Sequence, residues 1–200
     1  PTNVEWEMLV GVLDELKEAL EKLYRNPLKS EFENINQRFQ LIRQEELDAI
    51  ETKEEIQQLV NRPIRVCGMV RNEGQPGGGP FFVRKNGQIR KQIVEKSQLV
   101  AHPNAHNLMV QSTHFNPVMM VLSLTDFEGN KYHLNDFKDT EGYFILEKSY
   151  RGKNVRFLEY PGLWNGGMAY WNTVFVEIPN EVFTPVKTVL DLLHPAHQSA

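Results

Sequence analysis

The sequence predicts a mixed α/β (α+β) chain, with N-terminal helices followed by a mixed sheet. Three observations predict it. Residues 1–60 hold one glycine, Gly11, and read as helical. Their apolar residues recur at spacings of three and four, the period of a helix face. From Ile64 onward the chain turns into short apolar runs separated by Gly, Asn and Pro, the pattern of strands and hairpins.

The first helix carries Trp6, Leu9, Leu13, Leu16, Leu20 and Leu23 as one apolar stripe. The stripe spans fewer than three heptads, so it suits a helix packed on its own protein better than a coiled coil. Asn26-Pro27 stops it, because proline disfavours helix in the residue before it. A second helix is expected near Glu31 to Arg43. A third runs from Thr52 to Val60, with Thr52 and Glu55 at capping-box spacing, and Asn61-Arg62-Pro63 ends it. "IRVCGMV" is a strand. Asn86-Gly87 is a turn before a strand at Ile89 to Val94, and "PVMMVLSLTD" is another strand. "GYFILEKS" and "NVRFLEY" flank Arg151-Gly152-Lys153 as a hairpin. "WNTVFVEIP" is a strand ending at Pro179, and "PVKTVLDLL" reads as a short terminal helix with proline in its first turn. The boundary falls near residue 62, between a helical segment over 1–61 and a mixed α/β region over 62–200.

The 200 residues suffice for one core. Net charge is −4, so no global basic field favours nucleic acid. The apolar runs are too short for a membrane span, and "PTNVEWEMLV" lacks the basic and apolar regions of a signal peptide. A cytoplasmic protein is expected. The single cysteine, Cys67, lies in an apolar run and reads as a buried small hydrophobe.

The densest glycine stretch is "RNEGQPGGGPFFV", Arg71 to Val83. It is not a helix-capped phosphate cradle. It lacks Gly-Lys-Ser/Thr and G-x-G-x-x-G, and Pro80-Phe81-Phe82-Val83, directly after Gly79, favours a strand. It is either a connector or a loop whose missing side chains let a ligand approach the backbone. Near the C-terminus, "NTVFVEIPNEVFTPVKTVLDLL" delivers Glu177 to a strand end and then presents Lys187. A carboxylate can hold Mg²⁺ and a lysine can neutralise phosphate, although two surface charges on a strand-turn-helix would look the same. His102 and His106, or His194 and His197, hint at a metal hydrolase. Proline inside both spacings spoils the helical geometry such a site needs.

The C-terminal stretch resembles the catalytic domain of eukaryotic-type UDP-glucose pyrophosphorylases, which carry "N-x-P-R-S-R-F-L-P-V-K-T" followed by "DLL". Phe183, Pro185, Val186, Lys187, Thr188, Asp191, Leu192 and Leu193 match in place. UDP-N-acetylglucosamine pyrophosphorylases have a looser "F-S-P-L-K-N". The resemblance implies a phosphate-contacting catalytic role for Lys187. It puts Glu177 where the family has a metal-ligand asparagine, a departure that weakens the implied Mg²⁺ site.

Upstream, "GGGPFFVRKNGQIRKQIVEKSQL" is similar to "V-G-V-V-x-R-x-x-G-x-x-x-V-V-E-Y-S-E-I" of the acetylhexosamine enzymes. The resemblance implies that the backbone of Gly77, Gly78 and Gly79 lies against a sugar and that Glu95 accepts from its hydroxyls. Asn116, in "STHFNPVMMVLSL", matches an asparagine that contacts the sugar, and His114 is beside it. Trp164 and Trp171 either build a further wall or pack the core.

The sequence resembles more closely still an uncharacterised bacterial, Bacteroides-type family of roughly double this length, known as a domain of unknown function. That family carries "RPIRVCGMV", "NEG-x-PGGGPF", "HFNPV", "GLWNG" and "NPVKTV-x-DLL", and corresponding residues run almost throughout 62–198. Together the resemblances imply the latter half of a nucleotide-diphospho-sugar transferase (GT-A-like) domain. The implied activity is that of a sugar-1-phosphate nucleotidyltransferase, with a nucleotide sugar or sugar phosphate as ligand. The first half, with its triphosphate loop and Mg²⁺-binding Asp, is not found here. The chain also begins with Pro1. It is therefore expected to be a fragment that needs the missing N-terminal half of its parent and is inactive alone. The alternative is a non-catalytic sugar- or nucleotide-binding module on the same fold. No nucleic-acid or membrane partner is expected.

Overall fold

The computed structural model describes residues 3–74, 77–99, 102–160, 162, 166–186 and 188–198. Helix α1 spans Asn3–Arg25 and buries Leu9, Leu13, Leu16, Leu20 and Leu23, the leucines of the stripe. Each contributes roughly 1.5–3 kcal/mol by leaving water. Trp6 belongs to the same stripe but is 39% exposed, one turn before the helix meets the sheet at Leu9.

Helix α2, Lys29–Phe39, is shorter than its sequence suggested. Gln40 adopts a left-handed conformation at its C-cap. The Asn36 side chain then bonds both N and O of Ile42 at 3.0 Å, so the backbone after Gln40 is held as a loop. A one-turn helix, α3 at Gln44–Asp48, comes next, where the sequence pattern predicts none. Helix α4 is Lys53–Val60, and its capping box is present: Glu55 N donates to Thr52 Oγ1 and Thr52 N to Glu55 Oε2.

Strand β1, Ile64–Met69, is buried throughout and is the centre of the fold. Strands β2 (Gly79–Lys85) and β3 (Gln88–Val94) form an antiparallel hairpin. Its turn is Asn86-Gly87, both at positive φ, as a two-residue hairpin turn requires. Short helices α5 (Lys96–Leu99) and α6 (Ala105–Val110) lead to β4, Met119–Ser123. Strands β5 (Phe144–Tyr150) and β6 (Lys153–Glu159) make a second, largely exposed hairpin around Arg151-Gly152. Strand β7 is Asn172–Glu177. The main sheet has the order β4-β1-β7, with β4 antiparallel and β7 parallel to β1, so the fold is mixed α+β.

Alternation along β1 sets two faces. Ile64 and Val66 join the leucines of α1 in one apolar core, which is continuous across the helix-to-strand transition. Gly68 lets this face pack closely: a Cβ there would stand 2.9 Å from Ile178 Cδ1 and 3.2 Å from Leu9 Cδ1, and those side-chain ends would have to shift. Arg65, Cys67 and Met69 face the other way, where Cys67 and Met69 pack with Ile93 of β3. Burial pushes the Cys67 thiol up to about 11, so it stays a neutral packing group.

The C-terminal helix is not formed as expected. Phe183 to Val186 have no helical structure, and a 3-10 turn begins only at Val189 and ends at Leu193. Thr188 is its N-cap, closed by Asp191, whose carboxylate accepts from Thr188 N. The capping box therefore outweighs Pro185 in deciding where the turn starts. Among the described residues no helix is long and apolar enough to cross a membrane.

Candidate functional site

The C-terminal ends of β1 and β7 gather three loops. Ile178 N donates to Met69 O, and Asn180 Oδ1 accepts from Arg71 N. On the other side Phe115 N donates to Val70 O, Asn72 N to Thr113 O and Val118 N to Gly68 O. Segments 68–72, 112–118 and 177–180 are thus stapled by backbone bonds and the Asn180 side chain, in pairings that sequence separation alone does not reveal.

Onto this frame the glycines fold closely. A Cβ on Gly78 would clash with Val94 O and would stand 2.9 Å from both Asn116 Oδ1 and Glu95 Cα. On Gly79 it would meet His114 O at 2.5 Å and Ser112 Oγ at 2.6 Å, and on Gly77 the Phe115 ring at 2.5 Å. The tripeptide is glycine because backbone and side chains of two other segments occupy the space. Asn116 Nδ2 donates to Glu95 Oε1 at 3.2 Å. The other end of that amide, Oδ1, is buried without a hydrogen-bond partner among the described residues. Four of the candidate positions, Gly78, Gly79, Glu95 and Asn116, therefore meet in one cluster. Gly77 joins it through Phe115.

The recess beside Gly77 and Gly78 has a volume of about 30 Å³, room for one water.

Glu177 ends β7 a short way off. Its Oε2 meets His114 Nε2 at 2.9 Å and its Oε1 accepts from Arg71 Nε at 3.1 Å. The hydrogen bond from His114, then that from Arg71, hold the carboxyl below its ordinary range. His114 Nδ1 is in turn 2.9 Å from Thr113 Oγ1. Both oxygens of Glu177 are thus engaged. Among the described residues no group of three His, Cys, Asp or Glu could hold a metal ion. The described donors fit an ion-paired carboxylate better than a Mg²⁺ ligand, since the cation would have to displace Arg71.

Lys187 and Trp164 lie outside the described residues. The chain on either side of Lys187 is described, and Phe183 anchors it. The Phe183 ring stacks on Phe115 with centroids 5.4 Å apart. Phe115 also touches the space above Gly77. The glycine stretch, the "HFNPV" stretch and the "FTPVK" stretch therefore meet at one aromatic pair. Trp171 is buried, at 8% exposure. His194 and His197 are 6.3 Å apart between ring centroids, and His102 Nδ1 accepts from Asn104 N, with no metal-type cluster around either pair among the described residues.

Two features have no signal in the sequence. One is the Arg71–Glu177–His114 network. The bridge between Arg71 and His114 creates it, and no spacing rule announces that pairing. The other is the Phe115–Phe183 stack.

A comparison with curated proteins finds none that matches. A family model described as a domain of unknown function, DUF4301, matches residues 6–198, nearly the whole chain, including every glycine, carboxylate and amide just described. The chain therefore belongs to the DUF4301 family.

Proposed function

We propose that the chain supplies the sugar and phosphate side of a nucleotide-sugar pyrophosphorylase-like site, as part of a sugar-1-phosphate nucleotidyltransferase. The observation that carries this reading is the cluster of Gly78 backbone, Glu95 carboxylate and Asn116 amide, drawn from separate motifs. A glycine backbone with a carboxylate and an amide is suited to sugar hydroxyls, which both donate and accept.

In the proposed reaction a sugar-phosphate oxygen attacks the nucleotide α-phosphorus. The bond from that phosphorus to the bridging oxygen breaks, and pyrophosphate leaves with the electron pair. The chain's residues contribute positioning and charge neutralisation. Glu95 and Asn116 orient the sugar, and Lys187 balances phosphate charge. No step is assigned to Mg²⁺, because Glu177 is already engaged by Arg71 and His114. A bacterial, cytoplasmic setting and a complementing N-terminal half belong to the same reading.

The test is pyrophosphate exchange by the longer parent protein with a panel of nucleotide sugars. Exchange with one nucleotide sugar, abolished by Lys187→Ala, supports the transferase. Absence of exchange from folded parent protein with every sugar contradicts it. The ion-paired state of Glu177 favours a second reading, a binding module without turnover. That module would bind a nucleotide sugar and leave it intact.

A further inference from the structure

At the opposite end of the sheet, where β1 and β7 begin, lies a cavity of about 390 Å³. Its volume is that of a small-molecule site. Its wall carries three cations, Arg62, Arg90 and Lys91, but only one carboxylate, Glu46, outside the self-paired Arg43 and Glu45. Glu46 Oε1 pairs with Arg90 Nη2 at 3.3 Å. Arg62 and Lys91 have no carboxylate partner among the described residues. Arg62 Nε donates to Gln58 O and Lys91 Nζ to Thr173 O. Three cations against one carboxylate leave an excess of two positive charges.

Behind Thr173 the excess grows. Arg65 is fully buried and donates from Nε to Thr173 Oγ1 at 2.8 Å. It also has no ion pair among the described residues.

Burying such charge without a counter-charge is costly, and buried donors are rarely left unbonded. Yet donors here are unbonded. Arg90 and Trp171 both line the cavity, and Arg90 Nε and Trp171 Nε1 are buried with no hydrogen-bond partner among the described residues. Arg65 Nη1 is in the same condition. Trp171 is more than nine-tenths buried. The indole N–H and the guanidinium Nε are enclosed behind the cavity wall, so folding places donor groups, unpaired among the described residues, directly beside the excess charge.

We propose that this cavity binds a small phosphomonoester. The dianion balances the excess of two charges and accepts from Arg62, Arg90 and Lys91, with the Trp171 indole in the wall as a reporter of its arrival. Phe82 and Ile89 offer an apolar wall for the organic part. The site stands at the other end of the sheet from Glu95 and Asn116 and is independent of the sugar-nucleotide reading.

The probe is inorganic phosphate, titrated into the intact chain against sodium chloride at matched ionic strength. The readout is the Trp171 indole N–H resonance, assigned with Trp171→Phe. The expected result is saturable movement of that resonance with phosphate alone. Arg62→Gln or Lys91→Met should weaken it by at least about tenfold, the loss of one charge-assisted hydrogen bond. Glu95→Gln should leave it unchanged, which separates this site from the sugar wall. An unmoved resonance, equal movement with chloride, or undiminished affinity in folded Arg62→Gln and Lys91→Met would overturn the proposal. The wild-type titration alone decides the matter if a variant fails to fold.

Discussion

The two ends of the central sheet are built differently. At the C-terminal ends of β1 and β7, charge is balanced within the chain: Glu177 is held by His114 and Arg71, and the loops are stapled by backbone bonds. At the N-terminal ends, Arg62, Arg65 and Lys91 have no carboxylate partner among the described residues, and three buried N–H groups have no acceptor there. The first end is a shaped surface, whose chemistry depends on backbone that only glycine allows. The second is an electrostatic site, whose chemistry depends on charge that folding alone leaves uncompensated.

The largest expected effect lies at the basic end and has an unusual sign. Arg65→Met should stabilise the ligand-free protein by up to about 4 kcal/mol, because a buried unpaired cation is replaced by an apolar chain of similar size. Thr173 Oγ1 keeps its bond to Trp171 O. A higher urea midpoint checks this, and a lower one would break the contrast between the two ends. At the glycine end the sign reverses. Gly78→Ala should destabilise by about 1–3 kcal/mol, since its Cβ meets Val94 O with no room to yield. The same urea experiment reads it.

A smaller effect sharpens the basic end by pH. Burial pushes Lys91 down to about 8 from 10.5. Between those values the unfolded chain binds more protons, so stability rises with pH. Cys67, pushed up from 9.0 to about 11, acts in the opposite direction above pH 9. Burial dominates the Cys67 shift and is common to both proteins, so the difference between wild type and Lys91→Met cancels most of the Cys67 contribution. The wild type should gain on the order of 1 kcal/mol relative to the variant between about pH 8 and 9.

The smallest effect is at Glu177, which is about half exposed. Glu177→Gln should lower the melting temperature only slightly at neutral pH. Because the folded carboxyl titrates below its ordinary value of 4.5, its contribution is present above that value. The difference from wild type should vanish as the pH falls through the depressed folded value.

Much of this was legible in the sequence where local physics decides. The leucine spacing of α1, the Thr52–Glu55 box and the Asn86-Gly87 turn each depend on near neighbours. The α2 end was not legible, because Asn36 reaches forward to Ile42 and overrides the helical pattern. Nor was the start of the last turn, where Thr188 and Asp191 outweigh Pro185. At the candidate site, resemblance singled out the glycines, Glu95 and Asn116 as candidates, and the structure brings them together. The contacts joining them, Phe115 with Phe183 and Arg71 with His114, span long sequence separations and carry no local signature. The basic cavity was hidden for the same reason. Arg62, Arg90 and Trp171 are far apart in the chain, and a net charge of −4 masks a local excess of the opposite sign.

The central claim is that the glycine wall with Glu95 and Asn116 receives a sugar. The most direct test is calorimetric titration of the intact chain with a panel of nucleotide sugars, repeated on Glu95→Gln, which keeps the acceptor for Asn116 but removes the charge. The account predicts saturable binding of at least one nucleotide sugar, weakened about tenfold in the variant. Binding that is absent across the panel, or equal in wild type and variant, would contradict it.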